Sequence, residues 1–412
     1  MSSYRVTFAL ALFLGIAGPG LRAGTHYLMP TNPGAEPPYA TWETAGTSVV
    51  DVVNAAVAGS EPRTVWITNG TYALTSAVPA ISAAIAIRSV NGPEKTVISG
   101  DGQYRGFELN HTAIVLDGLT LSNGYAANGG GIRMRGGLVT NCIVTDCTVT
   151  SGGEQDQGGG IMTEGGPNVI VNSTIRRNLS LTRGGGGLYL RANSTNLIQH
   201  CRIEGNACAH SGGGFNMGYG SNPFEARILN CVIRHNYNTT SNTGYYGGGL
   251  YLTGSNLLVA NCTIVSNWAG MGGGIAFVGN VEMTNTVANC IIASNEYGAT
   301  WQPVRFKDIR KASGTATFTN AIAWSCSPLA NDVFVLDDGR GNTISDPEFA
   351  AFAQGDYRLA SGSPCINAGT NQQDWMSGAV DFGGRTRIDP FSGRVDMGAH
   401  EYIGAGSMIR LR

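Results

Sequence analysis

The chain has 412 residues, a formal net charge of −2 and 60 glycines, and only 13% of its residues are charged. This near-neutral balance argues against nucleic acid or an anionic membrane as a partner. So few charges with so much glycine are unusual for a globular domain and fit stacked coils of strand. A chain of this length can form a single solenoid domain.

Residues 1–23 have the pattern of a secretory signal peptide. Arg5 supplies the positive region, residues 6–17 the apolar core, and Ala23 a small residue for cleavage. The apolar run is too short to cross a bilayer, and no later stretch is long enough. Cleavage would remove Arg5 and Arg22 and take the net charge from −2 to −4. We therefore expect export, with no transmembrane segment after cleavage, to a secreted or cell-surface location.

Residues 48–58 are predicted to form a helix that covers the apolar end of the first coil. Ser48 with Asp51 resembles a capping box, and Gly59 ends the pattern. The apolar residues Val49, Val52, Val53, Ala56 and Val57 fall on one face. Strand patterns follow at residues 64–68, 85–89, 96–99 and 113–121.

One phrase then recurs every 28 to 31 residues, which indicates a solenoid. It consists of an Asn-Cys-x-Ile strand, a later Asn, a variable loop and three glycines. Its Cys position is occupied by Cys142, Ser173, Cys201, Cys231, Cys262, Cys290 and Ala321. Because apolar residues alternate within each phrase, each repeat is predicted to contain β-strands. We predict a parallel β-helix over residues 24–345, with regular coils at about 113–297.

Two columns of the repeat are expected at the corners of the coils. One column contains Asn178, Asn206, Asn236, Asn267 and Asn295. Asn tolerates a left-handed bend at the end of a strand, and amides stacked roughly 4.8 Å apart can form a ladder. The glycine triplets suit another corner, where a positive φ and close backbone approach are needed.

The chain has nine cysteines, and five of them share one inward position. Ser173 and Ala321 occupy the same position, which is the behaviour of small packing side chains. We expect free buried thiols. Adjacent-strand spacing also permits a disulfide, so a bridge between neighbouring coils stays open.

Residues 346–412 are rich in turn dipeptides, such as Asp346-Pro347 and Gly383-Gly384, and are predicted to form a C-terminal cap of loops and short strands. Residues 404–412 contain no membrane helix and no sorting signal, so soluble secretion is expected over anchoring.

The repeats resemble those of polymorphic outer-membrane proteins and of the pectin-lyase-like right-handed β-helix superfamily. The tail resembles the choice-of-anchor Q region of bacterial surface proteins. The phrases that carry the second resemblance are Asp346-Pro347-Glu348-Phe349, Gly355-Asp356-Tyr357-Arg358-Leu359, Ser363-Pro364-Cys365-Ile366-Asn367-Ala368-Gly369 and Asp396-Met397-Gly398-Ala399-His400-Glu401-Tyr402. Together the resemblances imply an all-β, right-handed, single-stranded parallel β-helix of an exported bacterial protein.

Because many members of that superfamily cleave acidic polysaccharides, a catalytic site has to be weighed. The Asp-rich phrases of polygalacturonase-type hydrolysis are absent. The candidate catalytic residues are Arg176, Arg202, Arg234 and His235. They would form a cationic patch that holds an acidic sugar, with Arg234 or His235 as the base. The alternative is a surface salt-bridge ladder, with Glu204 between Arg176 and Arg234. No metal site or cofactor is evident, and Ca²⁺ is expected only for a lyase.

A second candidate surface follows each glycine triplet. Its outward column reads Arg133, Met162, Tyr189, Asn216, Tyr251 and Ala276, and nearby loops add His210, Tyr237, Tyr245, Tyr246 and Trp268. Aromatic faces beside amides suit carbohydrate, whereas tyrosine is also simply common in strands. We expect non-catalytic binding of a polysaccharide or cell-surface glycan. The alternatives are a polysaccharide lyase, a less expected glycoside hydrolase, and a purely structural surface protein.

Overall fold

The structure is a computed structural model. It describes residues 24–150, 157–191, 193–218, 225–240, 244–253, 257–278, 285–297, 308–311, 316–319, 322–324, 341–371, 376, 379–390 and 392–402. The signal peptide predicted at residues 1–23 lies outside the described residues.

Short strands stack into four parallel sheets, and each regular repeat contributes one strand to every sheet. The first sheet has eleven described strands: Thr25–Leu28, Thr64–Ile67, Ala86–Ser89, Val115–Asp117, Gly137–Thr140, Asn168–Val171, Thr195–Gln199, Glu225–Leu229, Leu257–Ala260, Asn285–Ala288 and Ala316–Thr319. The second sheet has ten: Gly70–Ala73, Thr96–Ser99, Thr120–Ser122, Ile143–Thr145, Thr174–Arg176, Arg202–Glu204, Val232–Arg234, Thr263–Val265, Ile291–Ala293 and Ile322–Trp324.

The third and fourth sheets complete each coil. The third sheet has seven described strands: Tyr125–Ala126, Thr148–Val149, Leu179–Ser180, Ala207–Cys208, Tyr237–Asn238, Trp268–Ala269 and Glu296–Tyr297. The fourth has eight: Phe107–Leu109, Ile132–Met134, Ile161–Thr163, Leu188–Leu190, Phe215–Met217, Leu250–Leu252, Ile275–Phe277 and Ile309–Lys311. The predicted fold is confirmed as an all-parallel β-solenoid of about seven turns, with very little helix.

The apolar core lies inside the coils as one continuous column. Ile175, Ile203, Ile233 and Ile264 are paired in register on successive strands of the second sheet and are fully buried. This alternation follows from the period of two in the sequence, which places every second side chain inside.

The helix predicted at residues 48–58 is present as Val49–Ala58. The Ser48 hydroxyl accepts a hydrogen bond of 3.3 Å from the Asp51 amide, as an N-cap should. The buried face belongs to the same core as the first coils, which explains why an otherwise all-β chain keeps this amphipathic segment. Its buried residues are Val49, Val52, Val53 and Ala56.

The predicted asparagine ladder is confirmed. Asn236 donates its side-chain amide to Asn267 at 2.9 Å and accepts from both the side chain and the backbone amide of Asn206. Asn178, Asn206, Asn267 and Asn295 repeat the pattern. Each side chain is buried, so the ladder satisfies groups that water cannot reach. It ends at Asp308, whose pKa is raised by burial.

The left-handed bend lies one residue earlier than we predicted. The residue before each ladder asparagine has the positive φ, for example +52° at Arg177 and +53° at His235. A second left-handed corner precedes the cysteine position, where Asn230 and Asn261 have φ values of +52° and +54°. The ladder asparagine itself leads into the third sheet. Its side-chain amide bonds the asparagines of the adjacent coils, along the solenoid axis.

The glycine triplets form the predicted corner and also leave room for the ladder. The first glycine has a positive φ, such as +75° at Gly212. The third glycine faces the ladder, since a β-carbon at Gly214 would lie 2.9 Å from the Asn236 side-chain amide. A side chain would therefore push the ladder apart.

The eight described cysteines are free and buried, as predicted. Within the column, the backbone amide of Cys201 contacts the sulfur of Cys231 at 3.5 Å. Burial raises the pKa of the Cys142 thiol to about 12, so it stays protonated at neutral pH.

The described part of the C-terminal segment lies beside the solenoid, and its role as a cap stays a prediction. It contains one antiparallel hairpin, Phe349–Ala351 with Asp356–Leu359, joined by the 3₁₀ turn Phe352–Gln354. The segment packs sideways on the outer face of the second sheet. Tyr357, Leu359, Cys365, Met397 and Ala399 form a shared apolar layer with Val232, Val265, Ile291 and Ala293.

A fully buried arginine connects this tail to the solenoid. Arg387 donates to Asn230 Oδ1 at 3.0 Å and to Gly398 O at 2.5 Å. It also forms an ion pair of 2.6 Å with Glu401. Burial raises the pKa of Glu401 to about 8, although Arg387 opposes that shift. Arg387 is fully buried, so Glu401 acts mainly as the partner of a guanidinium charge that would be costly to bury alone.

Asn236→Ala should lower the free energy of unfolding by about 3 kcal/mol or more, because the buried amides of Asn206 lose their acceptor and the Ile203 carbonyl and the Asn267 side chain each lose a donor. Denaturant titration followed by circular dichroism measures the effect. Asn91→Ala removes an exposed asparagine and is the matched control. Equal shifts of the two variants would show that the ladder adds no stability.

Above about pH 8, where Glu401 is ionised, Arg387→Met should destabilise the docked tail by about 3 kcal/mol or more, because Glu401 then loses its buried counter-charge. Limited proteolysis of the tail is the measurement, since undocking exposes residues 346–402. The double variant Arg387→Met with Glu401→Gln should recover part of the protection. A tail of unchanged protease resistance in Arg387→Met would contradict this account.

Candidate functional site

The predicted arginine column on the second sheet is only partly a salt-bridge ladder. Arg176, Glu204 and Arg234 are in register on adjacent strands, as expected. Arg234 Nε lies 2.7 Å from Glu204 Oε2. Arg176 Nε, in contrast, is buried and makes no hydrogen bond. Glu204 thus pairs with one neighbour in the column and not with both.

The tail covers two of the candidate catalytic residues. The Arg202 guanidinium lies 5.6 Å from the centre of the Phe382 ring, and the Arg234 guanidinium lies 5.5 Å from that of Tyr357. Between tail and sheet is a groove of about 390 Å³, which we call the tail groove. The charged and aromatic residues that line it are Arg202, Arg234, Asp356, Tyr357, Arg358, Phe382 and His400.

The other two candidate catalytic residues do not line this groove. Arg176 lies one coil before Arg202, and His235 is at an exposed left-handed corner with φ of +53°. Partial burial and Arg234 both lower the pKa of His235. His400 is the histidine that reaches the groove, and burial lowers its pKa, which favours the neutral imidazole. The predicted patch with His235 as its base is therefore not assembled in the tail groove.

The column after the glycine triplets is in the predicted register but is buried. Tyr189, Asn216 and Tyr251 lie on adjacent strands of the fourth sheet with 7%, 5% and 5% of their surface exposed. Asn216 donates its side-chain amide to Ser211 O at 2.6 Å. Burial raises the pKa of Tyr189 to about 12. The column therefore does not present an open face, since the Tyr246 ring stacks on Tyr251, and ligand binding by these residues stays a prediction.

The aromatic residues of the third sheet are the accessible ones. Tyr237 and Trp268 are paired in register on adjacent strands, and Tyr237 has 44% of its surface exposed. We call these two residues the aromatic strip. His210 and Tyr245 form a ring pair with centroids 4.1 Å apart in neighbouring loops, and Tyr246 stacks on buried Tyr251 at 6.3 Å.

Sequence reasoning missed an ion-pair network at the first coils of the fourth sheet. Its members are Arg105, Glu108, Arg133, Arg135, Glu164 and Arg191. Burial alone would raise the pKa of Glu164, but Arg133 and Arg135 bring it below the ordinary value. Four guanidinium groups face two carboxylates, so this surface is positive although the chain is not. Only the register of successive coils shows that these separated residues are neighbours.

The tail residues that line the groove were also not predicted from the sequence. Tyr357 and His400 belong to the phrases that carried the resemblance of the tail, so the signal was present. Their spacing along the chain, however, does not say which face of the solenoid they contact.

Within the described part of the chain, no three His, Cys, Asp or Glu side chains are grouped closely enough to bind a metal ion. The dependence on Ca²⁺ expected for a lyase stays a prediction. No helix among the described residues is long and apolar enough to cross a membrane.

Comparison with known proteins supports the fold. The family described as "Right handed beta helix region" matches residues 94–244. No curated protein matches the sequence. The architecture is therefore that of a right-handed parallel β-helix, seen in the register of four sheets and in this match.

Among solved structures, the crystal structure of pectate lyase Pel9A is 16% identical, with a TM-score of 0.54 over 92% of this chain and 96% of that one. A rhamnogalacturonan lyase is 11% identical, with a TM-score of 0.38 over 80% of this chain and 91% of that one. The ORF18 protein of Geobacillus virus E2 is 15% identical, with a TM-score of 0.37 over 67% and 57%. At these identities the first likeness concerns the fold alone.

The burial difference between the two tyrosine sets can be tested directly. Tyr251→Ala should lower the free energy of unfolding by about 3 kcal/mol, because it opens a cavity in a packed layer. Tyr237→Ala should cost under about 1 kcal/mol, since its ring is largely exposed. Denaturant titration of both variants is the measurement. Similar losses would mean that Tyr251 does not contribute to a packed layer.

Proposed function

We propose that this protein binds an extended polysaccharide on the outer surface of the third sheet and does not cleave it. The observation that carries the proposal is the aromatic strip, in which Tyr237 and Trp268 have the same register position on adjacent coils. Aromatic rings pack against the C–H faces of sugars, and their polar groups bond sugar hydroxyls. Adjacent coils separate the two rings by roughly 4.8 Å, so both can contact one glycan chain.

The surroundings of the strip support a sugar ligand. The backbone beyond Tyr237 continues into exposed Thr239 and Thr240. The Thr239 hydroxyl is suited to hydrogen bonding with a carbohydrate, and Thr240, which donates its hydroxyl to Ala209 O, can still accept a hydrogen bond. His210, on the loop of the preceding coil, forms a ring pair with Tyr245, on the loop that follows Tyr237. Burial and Arg183 lower the pKa of His210, so a neutral imidazole with both donor and acceptor is favoured.

The likeness in fold to a pectate lyase supports carbohydrate as the ligand class, since that scaffold is one on which polysaccharide is handled. It supports no particular substrate, because fold does not determine function. The pattern of residues 1–23 supports a secreted or surface-associated location, where such a polymer would be met. A purely structural surface protein would not need two aromatic side chains aligned on adjacent coils, one exposed and one half-buried.

Affinity electrophoresis in gels containing xylan, mannan, mixed-linkage β-glucan, polygalacturonate or alginate tests the proposal. The protein should be retarded by at least one polymer, and Trp268→Ala should weaken that binding by about tenfold, or ~1.4 kcal/mol. Tyr125→Ala is the matched control, because Tyr125 is an exposed tyrosine of the same sheet whose in-register neighbour is Thr148 and whose ring stacks on no other ring among the described residues.

Two results would contradict the proposal. Retardation that is unchanged in Trp268→Ala would place the binding surface elsewhere on the molecule. Release of unsaturated uronate product, measured by ultraviolet absorbance with the same polymers and with Ca²⁺ present or removed by chelation, would make the protein a lyase.

A further inference from the structure

The tail groove is a second site, independent of the aromatic strip, because it lies on the second sheet and not on the third. Its volume of about 390 Å³ is within the range of small-molecule pockets, roughly 300–1,000 Å³. The solenoid contributes Arg202 and Arg234, and the docked tail contributes Tyr357, Phe382 and His400. Neither part of the chain forms this pocket alone.

The groove carries an excess of positive charge. Arg234 is 2.7 Å from Glu204, and Arg358 is 2.6 Å from Asp356, so each of these carboxylates has a close arginine. Arg202 reaches Glu204 only at 4.0 Å and keeps 43% of its side chain exposed. Three guanidinium groups thus face two carboxylates, and Arg202 is the cation with the weakest counter-charge.

The aromatic residues hold this arginine without using its hydrogen-bond donors. The Arg202 guanidinium lies over the face of Phe382 at 5.6 Å, and His400 meets the Phe382 ring edge-on at 5.5 Å. A ring face attracts a cation electrostatically and leaves its N–H groups for another acceptor. A guanidinium is well suited to bind a carboxylate with two parallel hydrogen bonds.

We propose that the tail groove binds a single sugar acid, a pyranose ring that carries a carboxylate. Arg202 binds the carboxylate, and the partly exposed ring of Phe382 contacts the C–H groups of the sugar. Because the pocket exists only while the tail is docked, the ligand also stabilises docking.

Isothermal titration calorimetry with four probes at equal ionic strength tests this inference: sodium D-galacturonate, sodium D-glucuronate, D-galactose and sodium acetate. At least one uronate should bind at least tenfold more tightly than galactose and acetate. Equal affinity for galactose would overturn the role of the charge. Equal affinity for acetate would overturn the sugar-acid class, and absence of uronate binding would overturn the site.

Arg202→Gln should weaken the binding of that uronate at least tenfold, and Phe382→Leu should weaken it several-fold. Arg177→Gln is the matched control, because Arg177 is an exposed arginine paired with Asp146 at a corner outside the groove. Limited proteolysis of Arg202→Gln checks that the tail remains docked. If Arg202→Gln bound the uronate as tightly as the unaltered protein does, the proposal would be overturned.

The stabilisation of docking gives a readout besides binding. The uronate should slow cleavage of the tail by added protease, and galactose at the same concentration should not. This protection should be lost in Arg202→Gln and kept in Arg177→Gln. Equal cleavage rates with and without the uronate would overturn the coupling between ligand and tail.

Discussion

The structure depends on a line of buried amide groups that runs along the solenoid. Each ladder asparagine, such as Asn236, satisfies groups of the coil on either side, including the carbonyl of Ile203. An unpaired buried amide is costly, so every coil has to stay in register with the next. The glycine triplets follow from the same constraint, because Gly214 leaves no room for a side chain beside the ladder. Packing of apolar side chains inside the coils would not by itself restrict the residues of the turns so strongly.

The outer surface has fewer constraints, and the faces of the solenoid differ as a result. The second sheet is covered by the tail, which Arg387 connects to the corners at Asn230 and Asn261. The fourth sheet is covered over Tyr189 and Tyr251 by the loops of its own coils. The third sheet keeps Tyr237 accessible. We therefore propose ligand binding at the third sheet, which stays open, and at the groove that the docked tail creates.

The two proposed sites use different physical chemistry. The aromatic strip offers ring faces at the spacing of adjacent coils, which suits a polymer that runs along the solenoid. The tail groove offers an excess cation in a small pocket, which suits one charged ring. Both proposals depend on tertiary contacts. The sequence marks Trp268 and Arg202 as candidates, and the proposed role of each follows from its neighbour on the next coil or on the tail.

The repeating coil could be predicted from the amino-acid sequence alone. The period of two gave the inward isoleucines such as Ile233, the spacing of 28 to 31 residues gave the ladder through Asn236, and Ser48 with Gly59 marked the helix. These features are local or repeat at a fixed interval, so their physical causes can be recognised along the chain. Tertiary structure alone decided that Tyr189 and Tyr251 are buried and that Phe382 meets Arg202, 180 residues earlier. Such contacts join segments with no common period, and only the packing of the tail and loops brings them together.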